Sequence, residues 1–504
     1  MDVFITEIRL HNFKIFKDAT IRCNKDVNIF IGDNATGKSS ILRAIDLVLS
    51  GSATKVLSFG LESIMNAEIV SEWKKAPNMS ALPETRVEIV FTMPDQPKWA
   101  RFNGEKYSGG KSKAAYGIKM VCSANPDFME DIKKSIGNGA CQVFPFEFYT
   151  VEFSTFADTA YSGFIKPCKT LAIDNSAINT AKALRYVVER TYKNAVEDNE
   201  RVSKQHEFRT HVDQFELPAA AVKKNLVLTG DLESCLDIQE SGVCLADQGE
   251  GRISMCKTEC ALEKKVEDIS ILTIEEPENH LSHHNLRHLI TNIQNRVEDR
   301  QIFMASHSSY VTARLGLQKA FFVNRTVKSL SCVSEETADF FMKAPNDNLL
   351  QFVLSSKVLL VEGAAEYILA DWFIRLVTQQ TSEELGIWTI ALNNLSFKRY
   401  LEVAKTLGIN VSALRDNDGS TQKRYGEFED EKIRVFSDAS PERRTFEICL
   451  FRDNEEVLNH LFQEQEDVLH YMLKNKAEAA YRILKSKPNL VIPEYIKSAI
   501  EWLQ

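Results

Sequence analysis

Two groups of residues in this chain carry chemistry by type and spacing. The first begins with Gly32-Asp33-Asn34-Ala35-Thr36-Gly37-Lys38-Ser39-Ser40. A glycine-bounded loop that opens directly into a helix can turn its backbone N–H groups toward phosphate oxygens. Lys38 then reaches the β and γ phosphates, and the Ser39 hydroxyl ligates magnesium. Asn34, Gly37 and Ser40 complete the expected contacts. Far downstream stands Glu275-Glu276-Pro277-Glu278. Glu275 suits the magnesium, directly or through water, and Glu276 suits the attacking water. His307, inside Ser306-His307-Ser308, is placed to sense a γ-phosphate. Ala246-Asp247-Gln248-Gly249-Glu250-Gly251-Arg252 opens a helical stretch, and Gly249 and Arg252 there suit a second phosphate contact. By itself that segment also reads as a plain loop.

The second group is acidic. Glu362 and Glu366 belong to Glu362-Gly363-Ala364-Ala365-Glu366, and Asp416 and Asp418 to Arg415-Asp416-Asn417-Asp418-Gly419-Ser420. An oxygen-only donor set of this kind selects magnesium or manganese. Asp-Asn-Asp-Gly alone reads as a surface turn. The conjunction with Glu362 and Glu366, each set following an apolar run, favours metal. In an extended stretch Asp416 and Asp418 would point the same way.

These residues need particular elements to position them. Val27–Ile31 reads as an apolar strand before the glycine loop. Ile41, Leu42, Ile45, Val48 and Leu49 mark one face of the helix after it. Strands are expected over 269–274, ending at Glu275, and over 303–307. Val358–Val361 is a buried-type strand ending at Glu362. An amphipathic helix through Leu369, Trp372, Phe373, Leu376 and Val377 follows it. A second unit places a strand over 387–392, a helix over 398–407 and a strand over 411–414. Strand-like runs fill 60–160, with an exposed hairpin or loop at Gly109-Gly110. From 179 to about 222 the pattern is helical and highly charged.

Length and composition bound the remainder. The 504 residues exceed one ordinary core, so two or three domains are expected. Apolar residues at 44% and charged residues at 26% are ordinary for a globular protein. No apolar run is long enough to cross a bilayer, and the opening Met-Asp-Val-Phe-Ile-Thr-Glu has no basic n-region. The expectation is a cytoplasmic protein without a membrane partner. A net charge of −9 argues against bulk electrostatic binding to nucleic acid, though not against a local basic groove. The ten cysteines are scattered and read as reduced thiols. His280, His283, His284 and His288 lack companion ligands at structural-zinc spacing, so they read as surface residues.

Together the first group resembles the ABC-type ATPases of the SMC, RecF and OLD group. The carrying segments are "IRLHNFKIFKD", "NIFIGDNATGKSSILRAI", "LADQGEGRI", "ILTIEEPENHLSHHN" and "MASHSS". In that group the signature segment of one protomer completes the ATP site of another, so the resemblance implies a dimer or higher homo-oligomer. The second group resembles the Toprim domain of OLD nucleases. "KNKAEAAYRIL" and "IPEYIKSAIEWL" look like that family's closing helices, and Glu447 matches a late acidic position. Two positions depart from the pattern: Arg415 stands where an uncharged residue is usual, and Ala365 where a hydroxyl is frequent.

The fold implied is α/β. An ABC/SMC-like P-loop ATPase with a helical insertion precedes a Toprim domain. Its parts are expected over 1–178 and 226–350 for the ATPase, 179–225 for an inserted dimerisation element, and 351–504 for the Toprim domain with its closing helices. The activity implied is ATP-regulated, metal-dependent cleavage of DNA, with ATP and Mg2+ or Mn2+ as cofactors. Glu362, Glu366, Asp416, Asp418 and Glu447 would be metal ligands, and Glu362 alternatively a general base. Lys476 would neutralise the scissile phosphate. Lys423, Arg424, Arg443, Arg444, Lys474 and Lys485 are candidates for phosphate positioning. The Gabija nuclease subunit has the same architecture. The resemblance therefore extends to anti-phage defence, with a helicase or a retron reverse transcriptase and its nucleic acid as companion components. The competing reading is an ATP-gated DNA-binding or scaffold protein whose Toprim site is inactive.

Overall fold

The structure is a computed structural model that describes residues 3–108, 114–136, 143–175, 180–213, 232–240, 242–263, 270–296, 300–343, 348–392, 396–420 and 424–504. The expected hairpin or loop at Gly109-Gly110, residues 214–225 of the expected insertion, and Lys423 lie outside the described residues. The chain divides into two compact units: residues 1–307 with 323–327, and residues 308–322 with 328–504. No described helix is long and apolar enough to cross a membrane.

Among the described residues the first unit contains two large sheets and a two-stranded one, Gln239–Glu240 with Val243–Cys244. Alternating apolar residues in Phe4–Phe13 and Thr85–Thr92 build an antiparallel sheet. Phe4–Phe13 lies between Phe16–Arg22 and Thr85–Thr92, and the sheet continues through Ala115–Ala124 to Tyr149–Thr155. Phe4–Phe13, the turn at Lys14-Ile15 and Phe16–Arg22 thus form a hairpin.

The other large sheet is parallel and its central strands are buried along nearly their whole length, as in a sheet covered on both faces. Val27–Ile31, Gln301–Ser306, Ile271–Glu275 and Thr170–Asp174 lie side by side in that order. Their register pairs Ile31 with Ser306, Ala305 with Glu275, and Glu275 with Asp174. Four carboxyl ends therefore finish at one edge. Helix Lys38–Ser50 packs Ile41, Leu42, Ile45, Val48 and Leu49 inward, the stripe expected from sequence. The charged stretch after 179 forms two helices, Thr180–Ala195 and Asp198–Asp213.

The second unit is built on a four-stranded parallel sheet in the order Ile387–Ala391, Lys357–Val361, Asn410–Leu414, Ile433–Phe436. The fourth strand is short and bears polar residues on its exposed positions, which hid it from a search for apolar runs. Helices Ala364–Thr378, Lys476–Ser486 and Glu494–Leu503 share one core, in which Leu369, Phe373, Leu450, Ile483 and Ile500 are buried together. Helix Glu335–Lys343 belongs to this unit: Thr337 and Glu336 are tied to Glu402 and Arg399 of helix Phe397–Leu407.

Candidate functional site

At the edge where the four parallel strands end, the glycine loop leaves Ile31 and enters helix Lys38–Ser50. Gly37 has φ +109°, and a Cβ there would lie 2.6 Å from the Phe16 ring and 2.7 Å from Ile15. Only glycine fits that position. Lys38 is buried and donates to the carbonyls of Gly32 (2.9 Å) and Asp33 (2.7 Å), so its ammonium is held across the loop mouth. Burial pulls its pKa below the usual lysine range, and the carboxylates of Glu276, Glu278 and Glu275 offset only part of that pull. Asn34 is exposed at the loop tip, and Ser40 is half-buried one residue beyond Ser39.

The parallel register brings the downstream residues to the same place. The Ser39 hydroxyl is hydrogen-bonded to Glu275, the pair a magnesium ion would bridge. Burial pushes Glu275 above the usual carboxylate range, and the charges of Asp174 and Glu276 add to it. Glu276 stands at the strand end with φ +48°, its N–H bonded to the Ala305 carbonyl (2.8 Å), and one carboxylate oxygen is 3.8 Å from His307 Nε2. Burial and Lys38 lower the His307 pKa, so its ring is neutral at physiological pH. Glu278 organises this corner by accepting from the Ser306 hydroxyl (3.0 Å) and the His307 N–H (2.5 Å).

Four neighbours of this site were not singled out from sequence: Lys14, Arg43, Asp174 and Glu278. Lys14 and Arg43 act electrostatically on each other, and both act on Glu275. Arg43 lies on the helix that the loop opens and Glu278 just past Glu276, whereas Lys14, in the turn after Phe4–Phe13, and Asp174, beside Glu275 in the parallel sheet, are brought there by the tertiary fold. The expected second phosphate contact is carried by a helix whose Lys257 donates to the Asp174 carbonyl (3.4 Å). Helix Glu250–Glu263 opens with Gly249, whose Cα faces open space, and with Arg252, whose guanidinium lies 3.7 Å from Met255 Sδ. Gly251 packs so closely on the His280 carbonyl that a Cβ would lie 1.9 Å away. His280 and His288 pair with Glu250 (3.2 Å) and Glu259 (3.7 Å) of this helix, in keeping with surface roles.

The acidic group assembles at the carboxyl ends of the second unit's strands. Glu362 follows Val361, and one of its carboxylate oxygens accepts the Asp416 N–H (3.1 Å). Glu366, one turn into helix Ala364–Thr378, folds back over Gly363. Asp416 accepts the Phe446 N–H (2.8 Å). Glu447 is buried in the first turn of helix Phe446–Asp453 and accepts from Lys476 Nζ (3.1 Å).

Burial raises Glu366 to about 7, and the negative charges of Glu447 and Glu362 add to the shift while Lys476 opposes it. Burial also raises Asp416 to about 8, with Glu366, Glu362 and Glu447 adding to it. Burial would lower the Lys476 pKa, but Glu447, Asp416 and Glu366 outweigh it and raise it. Five of the six expected residues thus share one electrostatic environment. A divalent cation fits this donor set: it is all oxygen, and it crowds negative charge that one ammonium does not balance. Even so, no three His, Cys, Asp or Glu side chains among the described residues already converge in metal-holding geometry.

Asp418 is the sixth residue, and the structure does not bring it to the others. The strand ends at Leu414, and Asp418 sits in a turn with φ +53°, so the alternation expected of an extended stretch does not apply. Its carboxylate pairs with Arg415 (2.8 Å) and Arg424 (3.5 Å). Arg443, expected to position phosphate, is instead a clamp: its guanidinium grips Asp453 at 2.6 Å twice and lies 2.8 Å from Asp438.

Comparison with known proteins gives two domain matches. Residues 4–225 match the AAA ATPase domain family, and residues 353–418 match the Toprim domain of proteins like the overcoming lysogenization defect protein. Among curated relatives, the DNA replication and repair protein RecF of Clostridium kluyveri is 25% identical over 173 residues, 34% of this chain and 44% of that protein. RecF of Gloeobacter violaceus is 28% identical over 88 residues, 18% of this chain and 22% of that protein. The chain thus matches less than half the length of these relatives. Among solved structures, the C-terminal region of the Xanthomonas campestris pv. campestris OLD protein is 22% identical, covers 30% of this chain and 92% of that one, and has a TM-score of 0.23. The recombination mediator protein RecF bound to ATP is 13% identical, covers 65% of this chain and 99% of that one, and has a TM-score of 0.34.

Proposed function

We propose that this chain, an OLD-type protein in which an AAA ATPase domain precedes an OLD-like Toprim domain, is a metal-dependent DNA endonuclease whose cutting is regulated by ATP. The observation that carries the reading is the crowding of Glu362, Glu366, Asp416 and Glu447, which raises Asp416 to about 8 and Glu366 to about 7. Such crowding is costly without a cation and is common where chemistry is done. Glu362, Glu366 and Asp416 would hold Mg2+ or Mn2+, and Glu447 a second ion. Bound there, the ions would activate water and stabilise the leaving oxygen of a phosphodiester.

The chain's own groups have separable tasks. The Asp416 N–H fixes the rotamer of Glu362, and the Phe446 N–H fixes Asp416. Lys476, held by Glu447, is available to neutralise the scissile phosphate. In the first unit Lys38, Ser39 and Glu275 would hold Mg-ATP, and Glu276 with neutral His307 would orient the attacking water. Gly249 and Arg252 would reach the nucleotide of a second copy, making the active form a homodimer or larger. A role in anti-phage defence accords with the same architecture.

One observation favours the competing reading of a DNA-binding or scaffold protein with an inactive Toprim site: the described carboxylates do not stand ready as a metal cage. Incubating plasmid DNA with the purified protein and Mg2+ or Mn2+ separates the two. Nicked or linear product that disappears with Asp416→Ala supports the nuclease. Intact plasmid with both metals, alongside retained DNA binding, supports the scaffold.

A further inference from the structure

Arg415 occupies an unusual position for a cation. Its side chain is only 11% exposed and lies over the Tyr425 ring (5.5 Å), immediately before the metal-site residue Asp416. A guanidinium has five N–H donors in a rigid fork. Among the described residues, Arg415 uses that fork for one side-chain partner, the carboxylate of Asp418 at 2.8 Å. Asp418 is itself half exposed and also draws in Arg424. Arg444 packs against the same turn, since a Cβ on Gly419 would lie 3.1 Å from its Nε. One carboxylate thus pairs with two arginines, with a third packed against the same turn, beside a site where four other carboxylates repel one another.

We propose that Arg415 and Arg424 form a phosphate subsite for the DNA backbone, and that Asp418 occupies it as an internal stand-in until DNA arrives. A phosphodiester offers a guanidinium the same paired oxygens as a carboxylate. When it takes over Arg415, Asp418 is released from the arginines and becomes available to the adjacent metal site. The Asp418 side chain would turn away from the arginines on a backbone already in the left-handed region that aspartate tolerates. DNA and metal would then favour each other's binding, as any two ligands do that oppose the same internal contact. Substrate would complete the metal centre, and metal bound without DNA would meet an incomplete ligand set. This inference rests on the nuclease reading of the acidic cluster.

The test measures binding without turnover in the full-length protein. Mn2+ affinity is measured by calorimetry without DNA, and affinity for a short duplex is measured in EDTA across a salt series. The variants are Arg415→Gln, Arg424→Gln and Asp418→Asn. Freeing Asp418 by Arg415→Gln is expected to tighten Mn2+ about two- to fivefold, the scale of one partly exposed ion pair. The same change should weaken the duplex and reduce its salt slope by about one. Asp418→Asn is expected to do the reverse, weakening Mn2+ and tightening metal-free DNA binding. Exposed Arg424→Gln should shift both in the direction of Arg415→Gln and covers the case in which that variant misfolds. Unchanged Mn2+ and DNA affinity in both arginine variants, with Mn2+ still bound by the native protein, would overturn the subsite and leave the nuclease reading standing. Absence of Mn2+ binding in the native protein and every variant would overturn both.

Discussion

Asp416 shows most directly how one residue can join folding to chemistry. Its N–H holds Glu362, its carboxylate caps the N–H of Phe446, and three carboxylates surround it. Asp416→Ala removes a proposed metal ligand and should lower metal-dependent cleavage by about a hundredfold or more while the fold persists, as circular dichroism and plasmid nicking would show. The raised values of Asp416 and Glu366 also set a pH dependence. Both keep protons in the folded state that the unfolded chain loses near pH 4. The folded state therefore binds more protons between about pH 4 and 8, and without metal these groups contribute less stability as pH rises through that window. A divalent cation must displace those protons, so its stabilising effect should grow with pH. The rise in melting temperature on adding Mn2+ is expected to be larger at pH 8 than at pH 6; an equal rise at both would place the ion elsewhere. In the ATPase unit, Lys38→Ala should weaken ATP about ten- to a hundredfold, the loss of two or so charge-assisted hydrogen bonds. Glu276→Gln should leave affinity intact and slow hydrolysis. Calorimetry together with phosphate release reads both.

Elements place these residues through close approach. The helix that opens at Gly249 approaches the backbone of the segment after Glu275 closely where Gly251 touches the His280 carbonyl. Gly251→Ala would force the two apart by more than 1 Å, because backbone on the far side cannot turn aside as a side chain can. Thermal unfolding should show a loss of about 1 to 3 kcal/mol, the scale of overpacking. ATP hydrolysis should fall with it. The Gly249 position, with open space around its Cα, is the internal control: Gly249→Ala should leave stability within about 0.5 kcal/mol of native.

For the whole molecule, the ATP site and the acidic cluster occupy different compact units of one chain. ATP can alter cutting only by favouring one arrangement of the protein over another. Cleavage at fixed free Mg2+ is therefore expected to change when ATP or a non-hydrolysable analogue is added, and inhibition is the expected sign by analogy with the Gabija nuclease. Arg252→Ala should blunt that change and spare basal cutting, since its proposed contact is with the nucleotide of another copy. Identical rates with and without nucleotide would show that the units share a chain without sharing a switch.

The sequence by itself determined the local units, because their signals are local. Val27–Ile31, the glycine loop and the stripe of helix Lys38–Ser50 are written within about twenty-five residues, and so is the run from Val358 through Glu366. In each case apolar periodicity and backbone allowance decide the conformation without help from distant parts. It also marked the acids that end apolar strands. What it did not determine was anything set by register or by long-range pairing. Lys14 and Asp174 reach the nucleotide site only because the fold brings distant segments to it, whereas Arg43 and Glu278 lie on the same local segments as Lys38 and Glu275. Ile433–Phe436 is a strand only because Asn410–Leu414 offers it a ladder. Asp418 was read as pointing with Asp416 because alternation was assumed to continue past Leu414. The chain turns there instead, and Arg415 and Arg424 take the carboxylate. Charge pairing across a turn depends on where three side chains end in space, which the order of residues along the chain does not encode.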